Sequence, residues 1–142
     1  MNHYVVDASV VIQHFITDTY TANVNALFDE LGDTVVLHLP EFCLLECANV
    51  IWKRVRFHGM PQSTAEILVN NLIALPLTVV LTAGVLRSGL QIGVRHNLAV
   101  YDSLYIALAA HAKYPLITAD ARQESAAKRE GVAIKSILDF NP

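Results

Sequence analysis

Residues 4–15, YVVDASVVIQHF, contain the change of pattern that decides the fold. A short run of β-branched and aromatic residues at 4–6 predicts a strand, which ends at Asp7 and is followed by apolar residues at helical spacing. The same change recurs at residues 116–120, LITAD, which precede a charged helical segment. Both stretches therefore predict a strand that ends beside an aspartate at the start of a helix.

Strands and helices alternate along the whole chain. Strands are predicted at 4–6, 35–38, 77–81, 116–118 and 132–135. Helices are predicted at 8–15, 21–31, 41–57, 62–75, 83–95, 100–112 and 121–130, with Ser63 and Thr82 as capping residues. Parallel strands need crossover connections, which are usually helical. The alternation therefore predicts an α/β fold, a three-layer α/β/α sandwich around a parallel sheet.

Length and composition predict one globular domain, residues 1–142. The chain has 142 residues, of which 54% are hydrophobic, and no linker, repeat or low-complexity tract divides it. The formal net charge of -3 argues against a protein that coats nucleic acid through bulk electrostatics, so any nucleic-acid contact must be local. The N-terminus does not resemble a signal peptide, and the longest apolar stretch, 72–81, is too short to span a bilayer. We therefore expect a cytoplasmic protein that does not enter the membrane.

Two aspartates follow strands at the same edge of the predicted sheet. In open α/β sheets, ligands bind beyond the carboxyl ends of the strands, so Asp7 and Asp120 should point into one crevice. An aspartate just after a strand is also a common helix N-cap, and for either residue alone that explanation is equally good. The pair together indicates a functional site.

Two further acids are embedded in apolar helices. Glu46 lies in LLECAN, and Asp102 lies in YDSLYIALA, where it shares with Tyr105 a helix face that should point towards the core. Burying an ionised carboxylate is costly unless it is paired or binds a metal. Lys53 lies about two helical turns from Glu46, and Arg122 alone cannot neutralise four carboxylates. Mg²⁺ or Mn²⁺, which prefer oxygen ligands, fit this pattern better than a salt bridge does.

Four segments, VVDAS, LLECAN, YDSLYIALA and LITAD, resemble the PIN-domain family in their order and spacing, and particularly the VapC-type toxin ribonucleases. The resemblance covers essentially the whole chain. It implies a five-stranded parallel sheet and a catalytic, metal-binding set formed by Asp7, Glu46, Asp102 and Asp120. It also implies a Mg²⁺- or Mn²⁺-dependent endoribonuclease that acts as the toxin of a toxin–antitoxin pair. An antitoxin protein and a second copy of the chain are then the expected partners, and apolar residues around 67–75 favour the homodimer.

Three further residues are candidates for substrate binding. Ser9 and Thr118 match positions where the family often has a small hydroxyl residue, which could bind the scissile phosphate or a metal-bound water. Local capping or turn hydrogen bonds explain them equally well. Arg122 is a candidate partner for a phosphate or for an acid of the site, with a solvated helix residue as the alternative. Gln123 replaces an apolar residue that is common in the family, which leaves the packing after Asp120 open.

Other classes of protein fit the sequence less well. A catalytically weak PIN-fold module that binds RNA or a partner would use the basic run KRVRFH at 53–58, which is also an ordinary helix C-terminus. A phosphatase that forms an aspartyl-phosphate would need a second aspartate two residues after Asp7, where Ser9 stands. Nucleotide-cofactor motifs of the types GxGxxG and GxxxxGK[ST] are absent.

Cys43 and Cys47 lie one helical turn apart, and we expect them to pack in the core.

Overall fold

A parallel sheet of four strands lies at the centre of the protein, which a computed structural model describes for all 142 residues. The strands are β1 (Asn2–Val6), β2 (Val35–Pro40), β3 (Thr78–Val80) and β4 (Leu116–Ile117). The helices are α1 (Ala8–Val11), α2 (Thr21–Asp29), α3 (Phe42–His58), α4 (Gln62–Ala74), α5 (Leu86–His96), α6 (Val100–Ala112) and α7 (Ala121–Arg129). Short 3₁₀ turns occupy Ile12–His14, Thr82–Val85 and Ile137–Asp139. The predicted α/β fold with a parallel sheet is confirmed.

The order of the strands, β3-β2-β1-β4, reverses its direction at β1. The chain adds β2 and β3 on one side of β1 and then returns to add β4 on the other side. Since crossovers between parallel strands are right-handed in nearly all proteins, this order assigns α1–α4 to one face of the sheet and α5 and α6 to the other. The reversal also opens a crevice beyond the carboxyl ends of β1 and β4.

The register between β1 and β4 determines which residues meet at that crevice. Val5 lies opposite Leu116 and Val6 lies opposite Ile117. The backbone N–H of Asp7 then donates to the carbonyl oxygen of Ile117 at 3.3 Å. Asp7 therefore directly follows the last paired residue of β1, and Thr118 directly follows the last paired residue of β4.

The predicted fifth strand, residues 132–135, is wrong. Only a single parallel bridge joins Leu116 to Ile134, with hydrogen bonds from the N–H of Leu116 to the oxygen of Ala133 at 2.9 Å and from the N–H of Lys135 to the oxygen of Leu116 at 3.0 Å. Strand β4 is two residues long and offers little edge for pairing. The chain then turns at Ser136, which caps the last 3₁₀ turn. The sheet has four strands, not the five that the resemblance implied.

Helix α6 is the most deeply buried helix of the fold. Every residue from Ser103 to Ala109 is buried, and the helix packs against β1, β2 and α5. A helix that is apolar on all sides is expected at such an interior position. Asp102 lies just before this buried run and is half-buried at the crevice. The thiols of Cys43 and Cys47 are buried in the same core of 28 residues, as expected.

The two residues predicted as helix caps have other positions. Ser63 lies inside α4, which begins at Gln62. Thr82 begins the 3₁₀ turn ahead of α5, and its Oγ1 accepts a hydrogen bond from the N–H of Phe42 at 3.1 Å. Thr82 therefore caps α3, the helix that carries Glu46. None of the helices combines the length and the apolar character that a bilayer crossing requires.

Helices α5 and α6 approach each other closely at two glycines. A Cβ atom at Gly93 would lie 2.8 Å from the carbonyl oxygen of Leu98 and 3.2 Å from Oγ of Ser103. A Cβ atom at Gly89 would lie 2.9 Å from the flexible end of the Leu104 side chain. The contact at Gly93 is the stricter one, because a backbone oxygen cannot rotate away.

Gly93→Ala should lower the free energy of unfolding by about 1–3 kcal/mol, since the start of α6 must shift to make room. Gly84→Ala is the matched control, because a Cβ atom there would meet nothing within 4 Å. Its effect should stay within about 0.5 kcal/mol. Urea denaturation of the two variants measures both values, and equal stabilities would contradict the close approach of α5 and α6.

Candidate active site

All four acids predicted from the sequence line one cleft of about 310 Å³. Asp7 follows β1, Glu46 lies on α3, Asp102 lies in the first turn of α6, and Asp120 precedes α7. Four separate elements therefore bring four carboxylates to the carboxyl edge of the sheet.

Asp7 is the most buried acid of the cleft, with 4% of its surface exposed. Its Oδ1 accepts a hydrogen bond from Oγ of Ser9 at 2.6 Å, and its Oδ2 lies 2.8 Å from Oγ1 of Thr118. Burial raises the pKa of Asp7 to about 7, the two hydroxyls oppose that rise, and the charge of Glu46 adds to it. In the absence of a cation, the fold therefore favours the protonated form of Asp7.

Ser9 and Thr118 both use their hydroxyls in local hydrogen bonds. Oγ of Ser9 also accepts from the N–H of Ala119 at 3.0 Å, and Oγ1 of Thr118 accepts from the N–H of Asp120 at 3.0 Å. These bonds join the end of β1 to the end of β4. In this structure both residues make local hydrogen bonds, which is the alternative that the sequence left open. Of the two, only Ser9 lines the cleft.

Glu46 is held by a residue of the opposite helix. The hydroxyl of Tyr105 donates to Oε1 of Glu46 at 2.5 Å. Burial raises the pKa of Glu46, the Tyr105 hydrogen bond opposes the rise, and the charge of Asp102 adds to it. The sequence identified Tyr105 only as a core residue. Its position three residues after Asp102 is the signal that could have placed it at the cleft.

Asp102 and Asp120 are electrostatic neighbours. Burial raises the pKa of Asp102, and the charge of Asp120 adds to the rise, whereas Arg122 opposes it. Oδ1 of Asp120 caps α7 by accepting from the N–H groups of Arg122 at 2.9 Å and Gln123 at 3.3 Å. Capping thus occupies one oxygen of Asp120 and leaves the other for the cleft. Asp7, at the corresponding position before α1, makes no capping hydrogen bond.

The side chain of Gln123 is buried behind Asp120, which answers how the chain packs after Asp120, a point that the sequence left open. This side chain is 1% exposed, and its Nε2 donates to the carbonyl oxygen of Asp102 at 2.6 Å. Its Oε1 lies 2.9 Å from Oγ1 of Thr118, whose single proton can be donated either to Gln123 or to Asp7. Gln123 therefore connects the end of β4 to the first turn of α6 and helps to position Asp102.

Asn49 and Lys53 complete the wall of the cleft. They follow Glu46 by three and seven residues and share its face of α3. Lys53 is exposed at the cleft wall and forms no ion pair with any of the acids. Arg122 does not line the cleft; its guanidinium donates to the carbonyl oxygen of Asn97 at 3.3 Å.

The chemistry of these donors fits a hard divalent cation. Both carboxylate oxygens of Asp102 are free of protein hydrogen bonds, and Glu46 and Asp120 each have one free oxygen. No three acid, histidine or cysteine side chains converge on one point in this side-chain arrangement. Hydrogen bonds hold Asp7, Glu46 and Asp120 against their own neighbours instead. A shared ion therefore requires side-chain rotation, for which Asp102 is the least restrained.

The raised pKa of Asp7 makes stability depend on pH. The folded chain binds a proton at Asp7 more tightly than the unfolded chain, so the free energy of unfolding falls as pH rises from 3.8 to about 7. A gap of this size corresponds to about 4 kcal/mol at most. The penalty becomes constant once the pH is well above the pKa of Asp7 in the folded chain.

Asp7→Asn should be more stable than the wild type by about 2–4 kcal/mol at pH 8 in EDTA, because the amide removes the buried charge. The amide can still accept from Ser9 and can donate to Thr118, whose proton then goes to Gln123. The gain should shrink as pH falls towards 4. Urea denaturation across this range tests it, with the exposed Asp29→Asn as control. A variant without a pH-dependent gain would contradict the buried charge.

Comparison with known proteins agrees with this architecture. The family described as "PIN domain" matches residues 4–129. Ribonuclease VapC3 of Pyrobaculum aerophilum is 26% identical over 118 residues, which are 82% of this chain and 88% of that protein. The crystal structure of PAE2754 from the same organism has a TM-score of 0.74 at 19% identity, covering 97% of this chain and 92% of the other. For the sarcin-ricin loop cleaving toxin VapC20 of Mycobacterium tuberculosis, the TM-score is 0.67 at 16% identity, with coverage of 87% and 94%. The chain belongs to the PIN-domain family.

Proposed function

We propose that this protein is a metal-dependent endoribonuclease that hydrolyses phosphodiester bonds in RNA. The observation that carries the proposal is the single cleft that four carboxylates from four elements line. None of these acids forms an ion pair with a basic side chain of the chain. Their charge is therefore available to a cation from solution. The match to the PIN-domain family and the similarity to Ribonuclease VapC3 support this choice of chemistry.

Asp7, Glu46, Asp102 and Asp120 would hold Mg²⁺ or Mn²⁺. Such an ion supplies Lewis acidity towards a phosphate oxygen and a water molecule when it is bound. Burial is the main cause of the raised pKa values of Asp7, Glu46 and Asp102, and repulsion from a neighbouring acid adds to each of them. Cation binding would relieve that repulsion, so the acids favour it energetically as well as chemically.

The contribution of the other residues is to position these acids and the substrate. Ser9 and Thr118 fix the carboxylate of Asp7, and Tyr105 fixes that of Glu46. The ammonium group of Lys53 in the cleft wall can bind a phosphate oxygen of the substrate. In the hydrolysis, a water oxygen bonds to phosphorus while the bond to the leaving ribose oxygen breaks, and that oxygen takes up a proton from solvent to become a hydroxyl. An ionised carboxylate of the cleft can accept the proton that the water loses.

Asp102→Asn should reduce RNA cleavage in Mn²⁺ or Mg²⁺ by at least about 100-fold, because it replaces the least restrained charged ligand by a neutral amide. Cleavage of an end-labelled RNA, followed on gels, measures this effect. Wild-type cleavage should stop in EDTA and return when Mn²⁺ is added. Asp29→Asn, an exposed acid outside the cleft, is the control and should retain full activity.

Thermal melting of the same samples separates folding from chemistry. Mn²⁺ should raise the melting temperature of the wild type, and it should raise that of Asp102→Asn less. Full activity of Asp102→Asn would refute the assignment of the acids, and wild-type cleavage that persists in EDTA would refute metal dependence. Wild-type protein that binds RNA but never cleaves it would be a binding module instead.

We further propose that the ribonuclease is the toxin of a toxin–antitoxin pair. Two similar proteins support this proposal, a VapC ribonuclease and a solved structure described as a toxin. A cell that makes such a nuclease needs a protein that keeps it inactive. An antitoxin that placed an arginine among the four acids would compensate their charge through bidentate hydrogen bonds and would block the cleft.

Exposed apolar side chains on α4 favour a homodimer. Ile67 is 59% exposed and Ile73 is 69% exposed. Beside them, a groove of about 470 Å³ between α3 and α4 is lined mainly by apolar residues, among them Trp52 and Val69. Exposed apolar side chains and an apolar groove on the same helix are typical of an interface, and closed twofold dimers are the commonest assembly.

Light scattering at micromolar concentration should give a mass of twice the 15.6 kDa of one chain. Ile73→Lys should shift the protein towards the monomer, because it places a charge in the proposed interface. Leu138→Lys is the matched control, since Leu138 is similarly exposed but lies outside α4. A monomeric wild type, or an equal effect of both substitutions, would argue against this interface.

A further inference from the structure

A second cavity lies next to the acid cleft and has the opposite charge. Its volume is about 330 Å³, and it lies between α7 and the connection from α5 to α6. Arg122, Ser125 and Arg129 project into it from α7, where their spacing of three and four residues puts them on one face of the helix. His96 and Leu98 form the other side.

The two arginines of this cavity carry uncompensated charge. Neither Arg122 nor Arg129 lies within ion-pair distance of a carboxylate. The nearby acid Glu130 is already engaged, because it accepts two hydrogen bonds from Arg95 at 2.8 and 3.1 Å and lies 2.7 Å from Nε2 of His96. In a chain with a net charge of -3, this is a local concentration of free positive charge.

The basic cavity and the acid cleft adjoin at the first turn of α7, where Asp120 lines the cleft and Ala121 lines the cavity. Asp120 lines the cleft and caps α7, and Arg122 follows two residues later. The backbone N–H of Arg122 donates to Oδ1 of Asp120 at 2.9 Å, so the basic face of α7 begins directly beside an acid of the cleft. From Arg122 the cavity leads along α7 to Arg129, about 10 Å further from the cleft.

We propose that this cavity binds backbone phosphates of the RNA strand beside the bond that is cleaved. The inference rests on the proposed ribonuclease function, since the acid cleft defines where that bond lies. Guanidinium groups bind phosphate oxygens in a bidentate manner, and the Ser125 hydroxyl can donate to the same anion. Contacts of this type fix the register of a strand without selecting its bases. The position of the cavity therefore predicts the direction in which the RNA strand leaves the cleft.

RNA suits this cavity better than an acidic segment of a protein partner does. Four of the seven residues that line the cavity are polar or basic, and Leu98 is its only large apolar side chain. Partner segments, in contrast, usually bury several apolar side chains at the centre of an interface. The apolar groove of this chain lies elsewhere, between α3 and α4. An RNA strand that enters the cleft must also extend beyond the cleft. This cavity supplies arginines without an ion-pair partner that can bind the phosphates of that extension.

Arg129→Gln tests the proposal, with Lys128→Gln as the matched control. Both substitutions remove one positive charge from the last turn of α7, but Lys128 lies outside the cavity and pairs with Glu124 at 3.1 Å. Ser125→Glu is a second variant, because its carboxylate would lie one turn from Arg129 and occupy the cavity. Melting temperatures should show that all three variants fold.

Binding is measured by fluorescence anisotropy in EDTA, where the strand remains intact, with a labelled single-stranded RNA of mixed sequence. Arg129→Gln should weaken binding about three- to fivefold, and it should reduce the slope of log K against log salt by about 0.7. Ser125→Glu should weaken binding further, and Lys128→Gln should have little effect. In Mn²⁺, Arg129→Gln should raise KM and leave kcat unchanged, because it removes uniform binding.

The possible results separate the inference from the proposed function. Equal binding by Arg129→Gln and Lys128→Gln, with unaltered cleavage, would overturn the RNA path and leave the ribonuclease intact. If Arg129→Gln binds RNA more weakly than Lys128→Gln but the wild-type protein never cleaves RNA, the result would support RNA binding in the cavity. It would overturn the proposed ribonuclease function. Unchanged RNA binding together with weaker binding of a protein partner would assign the cavity to that partner and overturn the proposal.

Discussion

The burial of the Asp7 carboxylate is the constraint on which the site depends. A carboxylate in the interior must be protonated, hydrogen-bonded or paired with a cation. The fold supplies two hydroxyl donors, Ser9 and Thr118, but no cationic side chain. The pKa of Asp7 therefore rises to about 7. Adding Glu46 and Asp102 to the same cleft makes the energetic cost greater, so a cation bound there would stabilise the folded protein.

The topology explains why acids so far apart in the sequence meet. Asp7 and Asp120 follow the two strands between which the strand order reverses. Glu46 and Asp102 come from α3 and α6, which right-handed crossovers place on different faces of the sheet. The hydrogen bond from Tyr105 to Glu46 joins these two helices directly above the strand ends. A local change in any one of the four elements would therefore alter the whole arrangement.

The sequence predicted the parts of the fold and site that depend on local pattern. The strand before Asp7 and the bounds of α6 follow from periodicity, and the two acids after strands follow from the edge rule for parallel sheets. The fifth strand failed because residues 132–135 have a suitable pattern but a partner strand of only two residues, which no local pattern reveals. Gln123 was unpredictable for a similar reason, since its two partners, Thr118 and Asp102, lie on different elements.

Helix α7 gives the region around the cleft its electrostatic asymmetry. Its first turn is capped by Asp120, which contributes to the acid cleft, and the face that follows carries Arg122 and Arg129. An anionic strand is repelled by the metal-free cleft and attracted by the adjacent arginines. A cation bound among the acids would remove the repulsion without changing the arginines. Binding of a cation in the cleft and affinity for a polyanion would then be linked, because the acid cleft and the basic face of α7 have opposite charges and lie side by side.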